Sequence, residues 1–170
     1  AWINSSRIFH PGTIVGGGGR NKLFTTTKEH KELFICDNEK ELQKLERLGY
    51  TDTVISNFIT SLFQGLSQQI FNAPIDLFIE EFLFTEYPEI KPFQFLSLMK
   101  LLDEGLNAVT KKEIVELTPQ ATLNASKIMN IVSAMQFRHL YGVDVTQNYK
   151  ATFAQIRTAQ KLYEQFLVMK

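Results

Sequence analysis

The sequence is poor in several features that would assign it to a class of protein. Cys36 is the single cysteine in 170 residues, which excludes an internal disulfide framework and favours a reducing cytoplasm. Neither charge sign is in excess, because 18 Lys and Arg residues balance 18 Asp and Glu residues. A nucleic-acid binder needs a basic face and a membrane-surface module needs a polybasic patch. We therefore expect neither nucleic acid nor a membrane surface as partner.

Long apolar runs and targeting signals are also lacking. No stretch approaches the roughly 20 apolar residues that a membrane-spanning helix needs, and no signal peptide opens the chain. The chain begins with AWINSS and not with Met, which predicts a fragment or processed product of a longer protein. Apolar residues nevertheless make up 44% of the sequence, and 14 of them are Phe. This composition predicts one globular domain with a genuine core.

Residues 1–36 differ in composition from the rest of the chain. The stretch RIFHPGTIVGGGGRNKLFTTT holds four consecutive glycines, Gly16 to Gly19, and three consecutive threonines. A phosphate-binding glycine loop would continue into a Lys-Ser/Thr pair, and here the run leads to Arg20 and Asn21. We predict an irregular, flexible arm over residues 1–36.

From residue 37 onward the apolar spacing is helical. Asn38 with Glu41, and Thr110 with Glu113, have the spacing of capping boxes. Asn72, with a proline two residues later, predicts the start of another helix. Short connections favour antiparallel packing of neighbouring helices. The predicted fold is all-α, with an irregular Gly-rich arm followed by about six to seven helices in a single domain over residues 37–170.

The segment FNAPIDLFIEEFLF, residues 71–84, places Asp76 and Glu80 one turn apart, with Asn72 one turn earlier. On a helical wheel the three share a strip about 80° wide, and apolar residues occupy most of the remaining circumference. This pattern predicts carboxylates in apolar surroundings, where an unpaired charge is unfavourable. A metal ion could bind them, Arg138 or Arg157 could pair with them, or the strip could face water.

This segment resembles the second ligand-bearing helix of bacterial zinc metallopeptidase domains, the broad group that includes IrrE/ImmA-like proteins. The resemblance covers residues 70–84 and, more loosely, EYPEIKPFQFLSL. It implies Zn²⁺ as cofactor, Asp76 as the first candidate ligand and Glu80 as the second. Asn72 is implied as the helix cap and orienting residue. Apart from the resemblance, His10 is expected to make a structural hydrogen bond, with an approach from its loop to the Asp76 strip as the alternative.

The catalytic helix of such enzymes carries H-E-x-x-H, which supplies two histidine ligands and a glutamate base. The three histidines of this chain, His10, His30 and His139, do not form that motif. The resemblance therefore predicts the helical portion of a zinc-dependent peptide hydrolase whose motif lies upstream of Ala1. The alternative is a non-catalytic helical module that binds a peptide or protein partner.

The remaining polar residues favour ordinary structural roles. Cys36 has no obvious His or Asp partner in the sequence pattern, so we expect a buried, inert thiol. Helical amides such as Gln94 and Gln136 are expected on the solvated surface, and His30 is expected to face solvent.

Overall fold

The fold is all-α, as predicted, and the computed structural model describes residues 26–168. Within that range the chain forms seven α-helices, two short 3₁₀ turns and no strand. The helices are α1 (Lys28–Asp37), α2 (Glu39–Arg47), α3 (Asp52–Glu86), α4 (Lys91–Thr110), α5 (Lys112–Leu117), α6 (Gln120–Tyr141) and α7 (Phe153–Val168). The 3₁₀ turns are Pro88–Ile90 and Thr146–Tyr149. None of the helices in residues 26–168 is long and apolar enough to cross a membrane.

Helix α1 corrects the predicted extent of the irregular arm, because residues 28–36 are helical. Thr27 caps this helix: its hydroxyl accepts the backbone N–H of His30, and its own N–H donates to His30 Nδ1 at 3.1 Å. His30 is therefore half-buried at the third helical position and does not simply face solvent. The Gly16–Gly19 run and His10 lie outside the described residues.

Two of the predicted capping boxes are replaced by other hydrogen bonds. Asn38 precedes α2, but its side chain turns back and donates to the carbonyl oxygen of Phe34 at 2.6 Å. Thr110 is the last residue of α4, and its hydroxyl donates to the carbonyl oxygen of Leu106 at 2.6 Å. Short polar side chains have several backbone partners within reach, so spacing alone does not decide which one they bind.

Helix α3 is continuous for 35 residues, and this corrects the prediction that Asn72 starts a new helix. Asn72 lies inside α3 and is exposed, with Pro74 two residues further on. A proline in a helix interior removes one backbone donor, a cost of about 3 kcal/mol. The helix nevertheless continues because the apolar pattern before and after Pro74 has the same helical period, so packing favours helix on both sides.

The chain divides into two compact units, Ala1–Ser67 and Gln68–Lys170. In the first unit, the described helices bury six apolar side chains: Phe34, Leu42, Leu45, Ile55, Ile59 and Leu66. The rings of Phe34 and Phe63 lie 5.5 Å apart in a tilted arrangement. These side chains form the apolar interior of that unit.

The second unit holds the larger core, which is centred on α6. Its fully or nearly fully buried members are Leu77, Leu102, Val109, Leu123, Ile128, Ile131, Val132, Ala134, Phe137, Tyr149 and Ala159. One face of α6 is apolar and buried, with Leu123, Ile128, Ile131 and Val132 all in the interior. Gly142 ends α6 at φ 73°, a left-handed conformation that glycine adopts without steric cost.

Helices α4 and α6 approach closely at Gly105. A Cβ atom added there would overlap the Asn130 side chain, which is half-buried and donates to the carbonyl oxygen of Ser126 at 2.9 Å. Glycine at this position therefore allows the two helices to pack side by side.

Gly105→Ala should lower the free energy of unfolding by about 1–3 kcal/mol, because Asn130 must move to admit the methyl group. Gly65→Ala is the matched control, since nothing lies within 4 Å of its added Cβ. That change should raise stability by about 0.5–1 kcal/mol through helix propensity alone. Urea unfolding followed by circular dichroism measures both effects. Adding Asn130→Ala should relieve the loss; an unrelieved loss would contradict the steric explanation.

Candidate functional site

The two sides of α3 between residues 75 and 86 have different surroundings. Leu77 is only 5% exposed and lies in the core, where its carbonyl oxygen accepts a hydrogen bond from Gln136 Nε2 at 2.6 Å. The side of the helix that carries Asn72 and Asp76 is exposed. The acidic strip predicted from the wheel therefore lies at the edge between core and solvent.

Asp76 is exposed, which corrects the expectation that it is enclosed by apolar side chains. Neighbouring side chains still remove part of the water around its carboxyl group, and this desolvation raises the pKa of Asp76 above its ordinary value. No hydrogen bond or ion pair reaches the Asp76 side chain from the described part of the chain. Its charge therefore carries a desolvation cost that residues 26–168 do not offset.

Glu80 has a different environment, because it joins a hydrogen-bonded group of polar side chains. Gln94 Nε2 donates to Glu80 Oε2 at 2.6 Å and to the Glu80 carbonyl oxygen at 2.7 Å. The Tyr141 hydroxyl lies 2.8 Å from Gln94 Oε1 and 3.2 Å from the Lys91 carbonyl oxygen, and it shares its proton between them. Burial, and secondarily the Glu80 charge, raise the pKa of Tyr141. Within residues 26–168 the Glu80 carboxylate is therefore hydrogen-bonded to an amide and is not paired with a cation.

An aromatic cluster surrounds these polar side chains. Phe84 meets Tyr141 edge to face at 5.2 Å, and Phe95 lies 5.2 Å from Phe137 and 5.1 Å from Tyr141. Lys91 Nζ stands 3.8 Å from the centre of the Phe84 ring, a cation–π contact. The cluster keeps water away from Gln94 and so strengthens its hydrogen bonds.

Neither predicted arginine pairs with Asp76 or Glu80 within residues 26–168. Arg138 Nη1 binds Asp144 Oδ2 at 3.0 Å instead, in the loop after α6. Arg157 is exposed on α7. Among the ion pairs formed within residues 26–168, none includes Asp76 or Glu80.

The described residues do not by themselves assemble a metal centre. Within residues 26–168 no group of three His, Cys, Asp or Glu side chains could hold a metal ion. Glu80 is already engaged by Gln94, and His10 lies outside this range. Asp76 and Glu80 as zinc ligands, with Asn72 as orienting residue, stay a prediction that requires ligands from elsewhere. Cys36 is exposed as a free thiol, which corrects its expected burial.

The exposed side of α3 carries an apolar strip, which consists of Ile75, Ile79 and Phe82. Their exposed fractions are 56%, 49% and 56%, and their spacing of four and three residues places them on one helix face. Phe82 also contacts the Tyr87 ring, whose centre lies 5.9 Å away.

Two buried amides were wrongly expected on the surface. Gln94 and Gln136 are each 6% exposed, and each donates to a carbonyl oxygen of α3. A signal was present in the spacing: Gln94 lies four residues before Leu98, and Gln136 lies between Val132 and Leu140 on the buried stripe. A polar residue in register with a core stripe predicts a specific buried hydrogen bond.

Gln94→Leu should lower the free energy of unfolding by about 1–3 kcal/mol, because it leaves Glu80 and Tyr141 without their shared partner. Gln165→Leu, at an exposed position of α7, is the control and should change stability by less than about 0.5 kcal/mol. Urea titration of each variant measures the difference. Equal effects of the two substitutions would show that the hydrogen bonds of Gln94 add nothing.

Fold and surface together define an all-α protein whose third helix packs one side into the core and exposes apolar side chains on the other. No family model, characterised protein or solved structure matches this chain.

Proposed function

We propose that this chain is a non-catalytic helical module that binds a protein partner through the apolar strip of α3. The observation that carries the proposal is the exposure of Ile75, Ile79 and Phe82 on one face. Single exposed apolar residues are ordinary on protein surfaces. Three at successive turns of one helix form the pattern by which helices dock against a partner helix or groove.

The residues on the opposite side of the helix support this role. Leu77 lies in the core, Glu80 binds Gln94, and Phe84 packs against Tyr141. These contacts hold the segment in one orientation, so the apolar strip is presented from a fixed helix. A rigid face binds with less loss of conformational entropy than a flexible segment does.

The proposal is tested by site-specific photo-cross-linking in extracts of the cells that produce the protein. A photoreactive residue at position 75 of the full chain should give a discrete heavier adduct. The same residue at position 165, on exposed α7, should give none. Adding Ile79→Ser should remove the adduct while circular dichroism shows the fold retained. Equal adducts at both positions, no adduct, or an adduct of two copies of the chain would contradict binding of a separate partner at this strip.

The cytoplasm is the compartment that we propose for this module. Cys36 is a free, exposed thiol, and such a thiol persists in a reducing environment.

The resemblance to zinc metallopeptidases supports a separate proposal that the longer protein holds Zn²⁺ through Asp76 and Glu80. Its test is the zinc content of the full-length protein after dialysis, compared for the wild type, Asp76→Ala and Glu80→Ala. Loss of bound zinc in either variant would support ligation by that carboxylate. Unchanged zinc in both variants would end the assignment.

A further inference from the structure

Helix α3 carries charge of one sign in the second unit. Between Gln68 and Glu86 it contains four acidic residues, Asp76, Glu80, Glu81 and Glu86, and no Lys, Arg or His. Of these, Asp76 and Glu86 are exposed. At about 100° per residue, Glu86 falls between Ile75 and Ile79 on the wheel, and Asp76 falls about 60° beyond Ile79. Glu86 therefore lies in line with the apolar strip, one turn beyond Phe82 at its C-terminal end, and Asp76 lies beside the strip.

The described part of the chain does not neutralise these two carboxylates. Neither Asp76 nor Glu86 takes part in an ion pair within residues 26–168. Glu86 is the last residue of α3, whose final turn contains no basic side chain. The C-terminal end of a helix carries partial negative charge, which makes a carboxylate there unfavourable and a nearby cation favourable.

A shallow groove adjoins the apolar strip at Phe82. Its volume is about 260 Å³, and it is lined by Phe78, Glu81, Phe82, Thr85 and Glu86. Aromatic faces accept the aliphatic stem and the cationic head of Lys or Arg, and the exposed Glu86 carboxylate at the rim accepts its N–H groups. The lining thus matches the side chain of a basic residue better than that of an acidic or a wholly apolar one.

We infer that the occupant of this face is an amphipathic helix of a partner protein, with apolar residues at successive turns and Lys or Arg beside them. This inference rests on the proposed function and adds the charge of the partner. A second copy of the same face would bring its own carboxylates against Asp76 and Glu86, and like charges repel. An anionic membrane surface would be repelled for the same reason.

The inference is tested with two synthetic helical peptides of equal length. Both carry Leu at positions i, i+4 and i+7; one carries Lys beside them and the other carries Glu. Fluorescence anisotropy measures their binding to the full chain at low and high salt. The Lys peptide should bind about tenfold more tightly at low salt, and the difference should shrink as salt screens the charges. Ile79→Ser should weaken binding of the Lys peptide about tenfold.

Charge reversal makes the test specific to this face. Asp76→Lys combined with Glu86→Lys should reverse the preference, so that the Glu peptide binds more tightly. Glu113→Lys combined with Glu164→Lys is the matched control, because it makes the same change in net charge on α5 and α7 and should leave the preference unchanged. Circular dichroism checks that all variants fold.

Four results would overturn the inference. Equal binding of both peptides, or a control pair that reverses the preference as strongly, would show that these carboxylates do not select a cation. Binding of neither peptide would exclude a cationic amphipathic helix as occupant. In each case the cross-link from position 75 still reports separately on the proposed function. An intramolecular cross-link, with no change in chain mass, would identify this chain as its own occupant and would also overturn the inference.

Discussion

Phe137→Ala should lower the free energy of unfolding by about 3–5 kcal/mol, the largest effect expected from a single substitution in this protein. Phe137 is 1% exposed, and its ring centre lies 5.2 Å from that of Phe95 and 5.1 Å from that of Tyr141. Removing the ring loses its burial and leaves a cavity that helices fixed by other contacts cannot close. Urea unfolding followed by circular dichroism measures the loss.

Phe153→Ala is the matched control for Phe137→Ala. Phe153 is 82% exposed at the start of α7, so its removal should change stability by less than about 0.5 kcal/mol. If Phe137→Ala does not fold, Phe137→Leu should still fold with a smaller loss, because it keeps most of the apolar volume. Similar losses at positions 137 and 153 would contradict the placement of Phe137 in the core.

Stability should fall by about 2 kcal/mol as the pH rises from 10 to 12, because of Tyr149. Burial, with a smaller contribution from the Asp103 charge, raises the pKa of Tyr149 from 10.0 to about 12. In this interval the unfolded chain loses the phenolic proton while the folded chain keeps it. The folded state therefore binds more protons, and its stability is fully present below pH 10 and is lost as the pH rises toward the folded pKa.

Tyr149→Phe should remove most of this loss of stability at alkaline pH. The Tyr149 hydroxyl lies 3.2 Å from the Leu102 carbonyl oxygen, so the variant should also be about 0.5–1.5 kcal/mol less stable at neutral pH. The two stability curves should cross between roughly pH 10 and 11, where the wild type has lost about 0.5–1.5 kcal/mol, and the variant should be the more stable protein at pH 12. Burial also raises the pKa of Tyr141 and Tyr163. These two groups account for the part of the pH dependence that remains in the variant. Urea midpoints at pH 8, 10 and 12 measure both curves; an unchanged slope in the variant would contradict the assignment.

Within residues 26–168 the number of helices agrees with the predicted six to seven, but two differences offset each other. Helix α1 lies partly in the stretch expected to be irregular, and the two helices expected on either side of Asn72 are one helix, α3. In the first case Thr27 and His30 form a cap of unusual composition. In the second, Pro74 follows a good capping residue and gives a false start signal. Local signals at helix ends are weak because several side chains can satisfy the same backbone groups.

The sequence predicted only part of the candidate surface on α3. Spacing placed Asn72, Asp76 and Glu80 together on one strip, and the structure keeps Asn72 and Asp76 exposed. Spacing did not predict that Asp76 and Glu80 have different surroundings. That difference arises because Gln94 of α4 reaches Glu80 and nothing in the described residues reaches Asp76. A hydrogen bond between residues 14 positions apart depends on how two helices pack, and helical periodicity does not contain that information.

The sequence by itself determined that the chain is helical, because apolar residues recur at helical spacing along most of residues 37–168. It also determined which residues share a face of each helix. Only the tertiary structure decided which face of α3 is buried, because α3 has apolar residues on nearly every side. Leu77 faces the core because Gln136 of α6 binds its carbonyl oxygen and α6 supplies the apolar surface of that unit. Ile75, Ile79 and Phe82 are exposed because a helix can pack only one side against the core.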